Sequence, residues 1–318
     1  MISKHLQGFT LTEIMVGLLI SSILMGGVIK IMSSSKRTYA LQNEMAELQD
    51  NARFVMEELT RELRMGGFFG CSQTPPAGIL NPFQGSLDNQ RIVDEEGNKI
   101  DSSFPSSDIF SITSFAQELS VNSTIALPFN GNQITLLARP SILPNQIIVS
   151  DCAGSKIYPV TSINNLVVTT TTPFIRSYLP PVEVFANTTT VTYQVRGISG
   201  GGFSLFKCDN FDTDGDGDQC DPQEELVEGV QSMQIRYGID TDNDGVPNQY
   251  NNANVLAGNN ISSVRITWLM RTGSKRGIGK PPNKIFYLDP NITYNPSTND
   301  LETGYRHRVF SATVKVRN

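Results

Sequence analysis

The chain opens on an apolar run. From Phe9 to Met32 almost every position is apolar, with one carboxylate, Glu13, near its start and Lys30 near its end. A short polar leader carrying Lys4 precedes it. About 20 apolar residues cross a bilayer, so the run has the length of a span. No proline occurs before Pro75, and the pattern predicts one helix from about Phe9 to Arg64. Its first half is apolar all round, as a membrane or buried helix must be. Its second half is amphipathic, with Leu41, Met45, Leu48, Ala52, Val55, Leu59 and Leu63 recurring at steps of three and four. The other face carries Glu44, Glu47, Asp50, Arg53, Glu57, Glu58, Arg61 and Glu62, with Glu57 and Arg61 spaced for a favourable pair. Gly66-Gly67 predicts the stop. At about 1.5 Å per residue the helix is about 80 Å long, so its second half must pack on something, most simply the chain's own head. Gly17 and Gly26-Gly27 lower its helix propensity, which suits close packing against other helices or local stretching.

Beyond the helix the period changes. From Phe68 to about Phe104 the chain is rich in Gly, Pro, Asn and Ser, which predicts a long ordered loop. Short β-branched and aromatic runs then predict strands at Ile109–Phe115, Gln133–Ala138, Gln146–Ser150, Lys156–Val160, Leu166–Thr171, Val182–Phe185, Thr189–Arg196, Phe203–Lys207, Val230–Gly238, Ile261–Met270, Ile285–Leu288 and Arg308–Val316. Val264, Ile266 and Trp268 fall on one face of their strand, with Arg265, Thr267 and Leu269 on the other, so Trp268 is a core candidate. Turn-rich breaks fall at Gly197–Gly202 and Arg271–Asn283. The fold class is α+β: a long N-terminal helix packed on a mostly antiparallel β-sheet head.

A carboxylate inside a hydrocarbon-length helix is costly and calls for a function. A plain single-span anchor accounts for the length of the run but not for Glu13. An ordinary secretory signal would place its cleavage site after the apolar run, at Ser33-Ser34-Ser35. Lys4 fits a cytoplasmic leader, but Lys30, Lys36 and Arg37 lie at the other end, so charge alone fixes orientation weakly. Gly8-Phe9-Thr10-Leu11-Thr12-Glu13, with the apolar run in register behind it, resembles the prepilin signal of type IV pilins and type II secretion pseudopilins. The resemblance implies cleavage after Gly8 by a prepilin peptidase and methylation of the new N-terminus at Phe9. It also implies pairing of Glu13 with a neighbouring subunit's N-terminus. The implied organisation is a leader over 1–8, a long helix over 9–66 (9–32 transmembrane and later pilus core, 33–66 amphipathic) and a β-rich periplasmic head over 67–318.

The 318 residues suffice for one or two domains with real cores. Net charge is −6, and loss of Met1–Gly8 with its one lysine leaves −7, which argues against a nucleic-acid partner. The basic stretch Arg271–Lys280 reads as a solvated loop. In an exported chain, the four cysteines Cys71, Cys152, Cys208 and Cys220 suggest two disulfides, with three possible connectivities. Cys208 and Cys220 bracket a short polar loop and are paired on that ground. The remaining pair, Cys71 and Cys152, would staple the helix to the sheet. His307 is the one imidazole outside the leader. It has no nucleophile or acid beside it in sequence, so a surface or strand-edge role is expected rather than catalysis.

Two acidic loops carry candidate metal ligands. Asp212, Asp214, Asp216 and Asp218 place oxygens at alternate positions, with Gly217 sixth and Cys220 ninth. Asp240, Asp242, Asp244 and Asn248 repeat the layout, with Gly245 sixth. Calcium loops use this spacing because ligands at positions 1, 3 and 5 converge while Gly at position 6 permits the sharp turn. Both loops lack the usual Glu at position 12, where Gln223 and Asn251 stand. Calcium is the expected ion, and no organic cofactor is expected. The alternative is a metal-free Asp/Gly/Asn turn between strands.

Further stretches narrow the resemblance. Glu58-Leu59-Thr60-Arg61-Glu62-Leu63-Arg64-Met65-Gly66-Gly67-Phe68-Phe69-Gly70-Cys71, Ser150-Asp151-Cys152, Arg236-Tyr237-Gly238-Ile239-Asp240 and Arg308 to Asn318 look like the PilW group of minor pilins. This implies a structural, non-enzymatic subunit held in the inner membrane by one span and then incorporated into the pilus. Its partners would be other minor pilins, the major pilin and the prepilin peptidase. Rival readings are a J-type minor pseudopilin of type II secretion and a calcium-dependent adhesive tip module.

Overall fold

The computed structural model describes residues 10–66, 70–71, 83–86, 104–140, 143–198, 202–208, 223–242, 244–253, 260–272 and 283–316. One helix, α1 (Leu11–Met65), leads into the strands β1 (Phe83–Ser86), β2 (Ile109–Leu119), β3 (Gln133–Thr135), β4 (Gln146–Asp151), β5 (Gly154–Asn164), β6 (Val167–Thr170), β7 (Glu183–Ile198), β8 (Gly202–Cys208), β9 (Gln223–Glu228), β10 (Val230–Asp240), β11 (Gln249–Asn251), β12 (Asn260–Arg271), β13 (Phe286–Asp289), β14 (Ile292–Tyr294) and β15 (His307–Lys315). Two 3-10 turns, Pro296–Thr298 and Asp300–Glu302, precede β15.

Among the described residues, the first half of α1 packs against no other element. Its most apolar stretch is wholly exposed, and from Leu11 to Met32 its large apolar side chains face outward. Burial begins further on: Leu41 and Met45 are half-buried, and Leu48, Ala52, Val55, Leu59 and Leu63 form the packed stripe that the three-and-four spacing predicts.

The described strands form three antiparallel sheets. The largest runs β1-β2-β7-β4-β5-β6-β3, with β8 and β9 continuing from β7. The second runs β11-β10-β12-β15, and β13 pairs with β14. The stripe of α1 closes the first core against Phe110, Tyr193 and Leu205 of the large sheet and Ile266, Trp268 and Val314 of the smaller one. A second core contains no helix residue and gathers Ile147, Tyr158, Val168, Phe174, Tyr178 and Val184. β2 and β7 are long enough to join the two: Phe110, Ile112, Val191, Tyr193 and Val195 face the first core, and Leu119, Val184 and Ala186 the second. Leu269 alternates to the other face of β12, where Phe286, Leu288 and Tyr294 cover it.

Several expectations are corrected. Val182–Phe185 and Thr189–Arg196 are parts of one strand, β7, because pairing with β2 continues across the Thr-rich stretch between them. The expected loop of 68–104 contains β1, which pairs with β2. Gly66 does not stop α1 through a left-handed cap; it leaves the helix extended, at φ −61° and ψ 130°. What requires glycine there is space, since an added Cβ would lie 2.6 Å from Ile112 Cγ2 and 2.8 Å from Phe83 Cε1. Gly67 lies outside the described residues. The partner of Arg61 is Glu58 rather than Glu57. Glu58 sits beside Leu59 at the edge of the buried stripe, where Lys207 of β8 reaches it at 3.2 Å and Glu62 at 3.6 Å.

Candidate functional site

At the start of α1, Thr10 and Glu13 form a capping box. Thr10 Oγ1 accepts from the Glu13 amide at 3.3 Å, and Glu13 Oε2 accepts from the Thr10 amide at 3.2 Å and from Thr10 Oγ1 at 3.0 Å. Reciprocal capping satisfies helix-end donors that have no partner within the helix. The carboxylate also lies at the positive end of the helix dipole. Both contacts fall on one oxygen, and a carboxylate accepts about four hydrogen bonds, so the cap leaves room for an incoming cation. Gly8 and Phe9, the expected processing residues, lie outside the described residues.

The junction between helix and head is covalent. Cys71 and Cys152 form a disulfide across 81 residues with 4.7 Å between their Cα atoms. The Cys71 amide also donates to Glu183 Oε2 at 2.6 Å. Cys208 is buried and disulfide-bonded; its expected partner Cys220 lies outside the described residues. Next to Cys152, Asp151 is buried and accepts from Arg176 Nη1 at 3.1 Å and Nη2 at 2.5 Å, and from the amides of Ala153 and Leu179, each at 3.0 Å. Burial pushes its pKa up, but the Arg176 guanidinium and these amides outweigh it and hold the carboxyl below its usual range. Asp289 shows the same balance: burial raises it, and Arg236 with the Asn291 amide brings it below the ordinary value.

Of the two acidic loops, Asp212, Asp214, Asp216 and Asp218 lie outside the described residues. In the second, one oxygen each from Asp240, Asp242 and Asp244 lie within 4.8 Å of one another. That spread suits a shared ion with oxygen ligands at about 2.4 Å. Gly245 takes φ +82°, the turn expected of the sixth position, and donates to Asp240 Oδ2 at 2.7 Å. Asn248, the expected ninth position, is held within the loop by hydrogen bonds. Its Oδ1 accepts from Thr241 N at 2.7 Å and Thr241 Oγ1 at 2.9 Å, while its Nδ2 reaches Asp242 at 3.2 Å. Both lone pairs of that oxygen are engaged in fastening the hairpin of β10 and β11. The ammonium of Lys315 also stands close, 3.7 Å from where a Cβ on Gly245 would sit.

His307 begins β15, yet its side chain is only 1% exposed. Nε2 lies 2.6 Å from Glu302 Oε2, and the other carboxylate oxygen accepts from Arg271 Nη1 at 2.9 Å and Gln231 Nε2 at 3.2 Å. Arg271, expected in a solvated loop, is thus the buried end of β12; 273–280 lie outside the described residues. This network fastens β10, β12, β15 and the second 3-10 turn together. Its members are buried. Sequence reasoning missed Glu302, Lys207 and Arg176, whose partners are 31, 149 and 25 residues away and leave no local pattern.

Comparison with known proteins now bears on both ends of the chain. Residues 4–29 match the prokaryotic N-terminal methylation motif, and residues 192–318 match the family model described as Type IV Pilus-assembly protein W. Together the two matches support a PilW-type minor pilin. The PilW match starts in β7 and takes in β8 to β15, the acidic hairpin and the Arg271–Glu302–His307 network. The second core lies before it. A type IV-like pilin from Thermus thermophilus is similar to this chain at 12% identity and a TM-score of 0.37, over 85% of this chain and 95% of that one. No curated protein matches the chain in sequence.

Proposed function

We propose that this PilW-type pilin is an assembly subunit: one span holds it in the inner membrane, and the same helix later enters a pilus bundle with other minor pilins and the major pilin. The observation that carries the proposal is the bare first half of α1, an apolar surface with no partner among the described residues of its own head and an acid at its tip. Prepilin peptidase would cut after Gly8, leaving Phe9 as a methylated cation one residue before the Thr10 cap. Glu13 then receives the corresponding cation of a neighbour and sets the register between subunits. The PilW match favours the pilus over a J-type secretion role. A part in initiation at the tip, and through it in twitching motility or adhesion, follows from placing a large head on a single subunit of this kind.

Removal of one partner of a buried charge pair leaves the other stranded, at about 3–5 kcal/mol. Glu13→Ala should therefore block incorporation into sheared pili while the head keeps its thermal transition. Incorporation at the wild-type level would refute the role of Glu13. We also propose calcium at the acidic loops, with Asp240, Asp242 and Asp244 as side-chain ligands and Asp212, Asp214, Asp216 and Asp218 as their counterparts. Ion binding to the folded state alone raises its stability by mass action. EDTA should lower the melting temperature, with recovery by calcium and not by magnesium; no shift at saturating calcium counts against the site.

A further inference from the structure

The neck of α1, between the apolar run and the head, carries charge that neither the span nor the first core uses. From Ile14 to Asn43 the chain has no acid and three cations, Lys30, Lys36 and Arg37. All three are exposed, and no ion pair among the described residues includes them. The next carboxylate along the helix, Glu44, lies about 10 Å beyond Arg37. At about 100° per residue, Lys30, Ser33, Lys36 and Arg37 share one side of α1, within an arc of about 120°. Ser33 stands mid-arc, three residues from each lysine and four from Arg37. Tyr39, also exposed, follows toward the head.

Depth decides what this side meets. The capping box leaves Thr10 and Glu13 at the polar near end of the span. A hydrocarbon core of about 30 Å takes about 20 residues of straight helix, which run from Ile14 to Ser34. A tilt of about 20° adds only about one residue to that count. Lys36 and Arg37 then lie about 3–5 Å past the hydrocarbon, in the headgroup layer, and Tyr39 stands where interfacial aromatics gather. Lys30 lies about one turn deeper and reaches the same layer along its apolar stem. The anions at this depth are lipid phosphates. The acids of α1 resume only at Glu44, about 15 Å outside the hydrocarbon, and nucleic acid does not enter this layer. A guanidinium fork beside ammonium groups is also the donor set that phosphate oxygens accept.

We propose that Lys30, Ser33, Lys36 and Arg37 form a binding site for the phosphate of an anionic phospholipid in the leaflet that faces the head. This rests on the reading of α1 as a membrane span and names a lipid partner for it. Lys36 and Arg37 hold the phosphate oxygens, Ser33 offers its hydroxyl between them, and Lys30 closes the site from the hydrocarbon side. The lipid fixes the depth at which α1 waits, and its contacts break when the helix leaves the bilayer. Each juxtamembrane cation at an anionic surface contributes about fivefold in affinity, and salt screens it.

The test places the full-length chain in nanodiscs of phosphatidylcholine and phosphatidylglycerol in equal parts and reads the retained lipid by native mass spectrometry. The expected result is phosphatidylglycerol in at least about tenfold excess over phosphatidylcholine, an excess that shrinks as salt rises. The variant Lys30→Gln/Lys36→Gln/Arg37→Gln should retain the two lipids equally. Its head should keep the wild-type thermal transition, because these side chains are exposed on the neck. Arg139→Gln/Lys156→Gln/Lys284→Gln removes the same charge from the head and should keep the preference. A preference that survives the neck substitutions, or that is lost with the head ones, overturns the proposal. If the wild-type chain enters the nanodiscs and retains both lipids equally, the lipid site fails and the span stands. If it enters nanodiscs of neither lipid, the span reading itself fails.

Discussion

Asp289 lies under the guanidinium of Arg236 and accepts from the Asn291 amide while burial opposes its charge. The net result is a folded pKa below the unfolded value, so the folded state binds fewer protons than the unfolded chain as the medium is acidified. Its contribution is present above the unfolded value of about 4 and is lost as pH falls through the folded one. Asp151 acts in the same direction. Arg236→Ala leaves a mostly buried carboxylate without its cation and should cost about 3 kcal/mol at neutral pH. It should also shrink the loss of stability as pH falls below about 4, because the cation that holds the carboxyl below its ordinary range is gone. Urea denaturation across that range measures both; a variant with the wild-type pH slope removes Asp289 from the account. These pairings were not legible in sequence. Arg236 and Asp289 are 53 residues apart, and only the fold of β13 onto β10 brings them together. His307 stands on the edge strand β15, in keeping with its expected strand-edge place, but the burial of its side chain was not legible, since its acid comes from a 3-10 turn that has no sequence signature of its own.

At the level of elements, α1 was the most legible part of the chain, because spacing at three and four is preserved wherever a helix packs. Its stripe from Leu48 to Leu63 lies where the sequence placed it. Long strands with clean alternation, such as β10 and β12, were legible for the same reason. β1, β9, β11 and β14 have six residues or fewer and owe their pairing to neighbours rather than to pattern. The end of α1 was predicted in place but not in cause. A left-handed cap would tolerate Asn in place of glycine, whereas the close approach of Ile112 and Phe83 admits no Cβ. Gly66→Ala should therefore destabilise the head by about 1–3 kcal/mol, as overpacking does. A melting curve checks it; an unchanged transition means the contact relaxes freely.

The whole molecule is an apolar rod joined to a two-lobed head, with α1 completing the first lobe and a disulfide joining its end to the second. The rod and the α+β class were legible because hydrophobic period survives without knowledge of contacts. The division of the head into two cores was not, because β2 and β7 run through both and no linker separates them in sequence. The proposed assembly role depends on one event at the other end of the rod, the proposed cleavage after Gly8 that would turn Phe9 into a methylated cation next to the Thr10–Glu13 cap. Mass spectrometry of the N-terminal peptide from the mature protein reads it directly. The expected chain begins at Phe9 and carries one added methyl group; a mature chain that begins anywhere else contradicts the account.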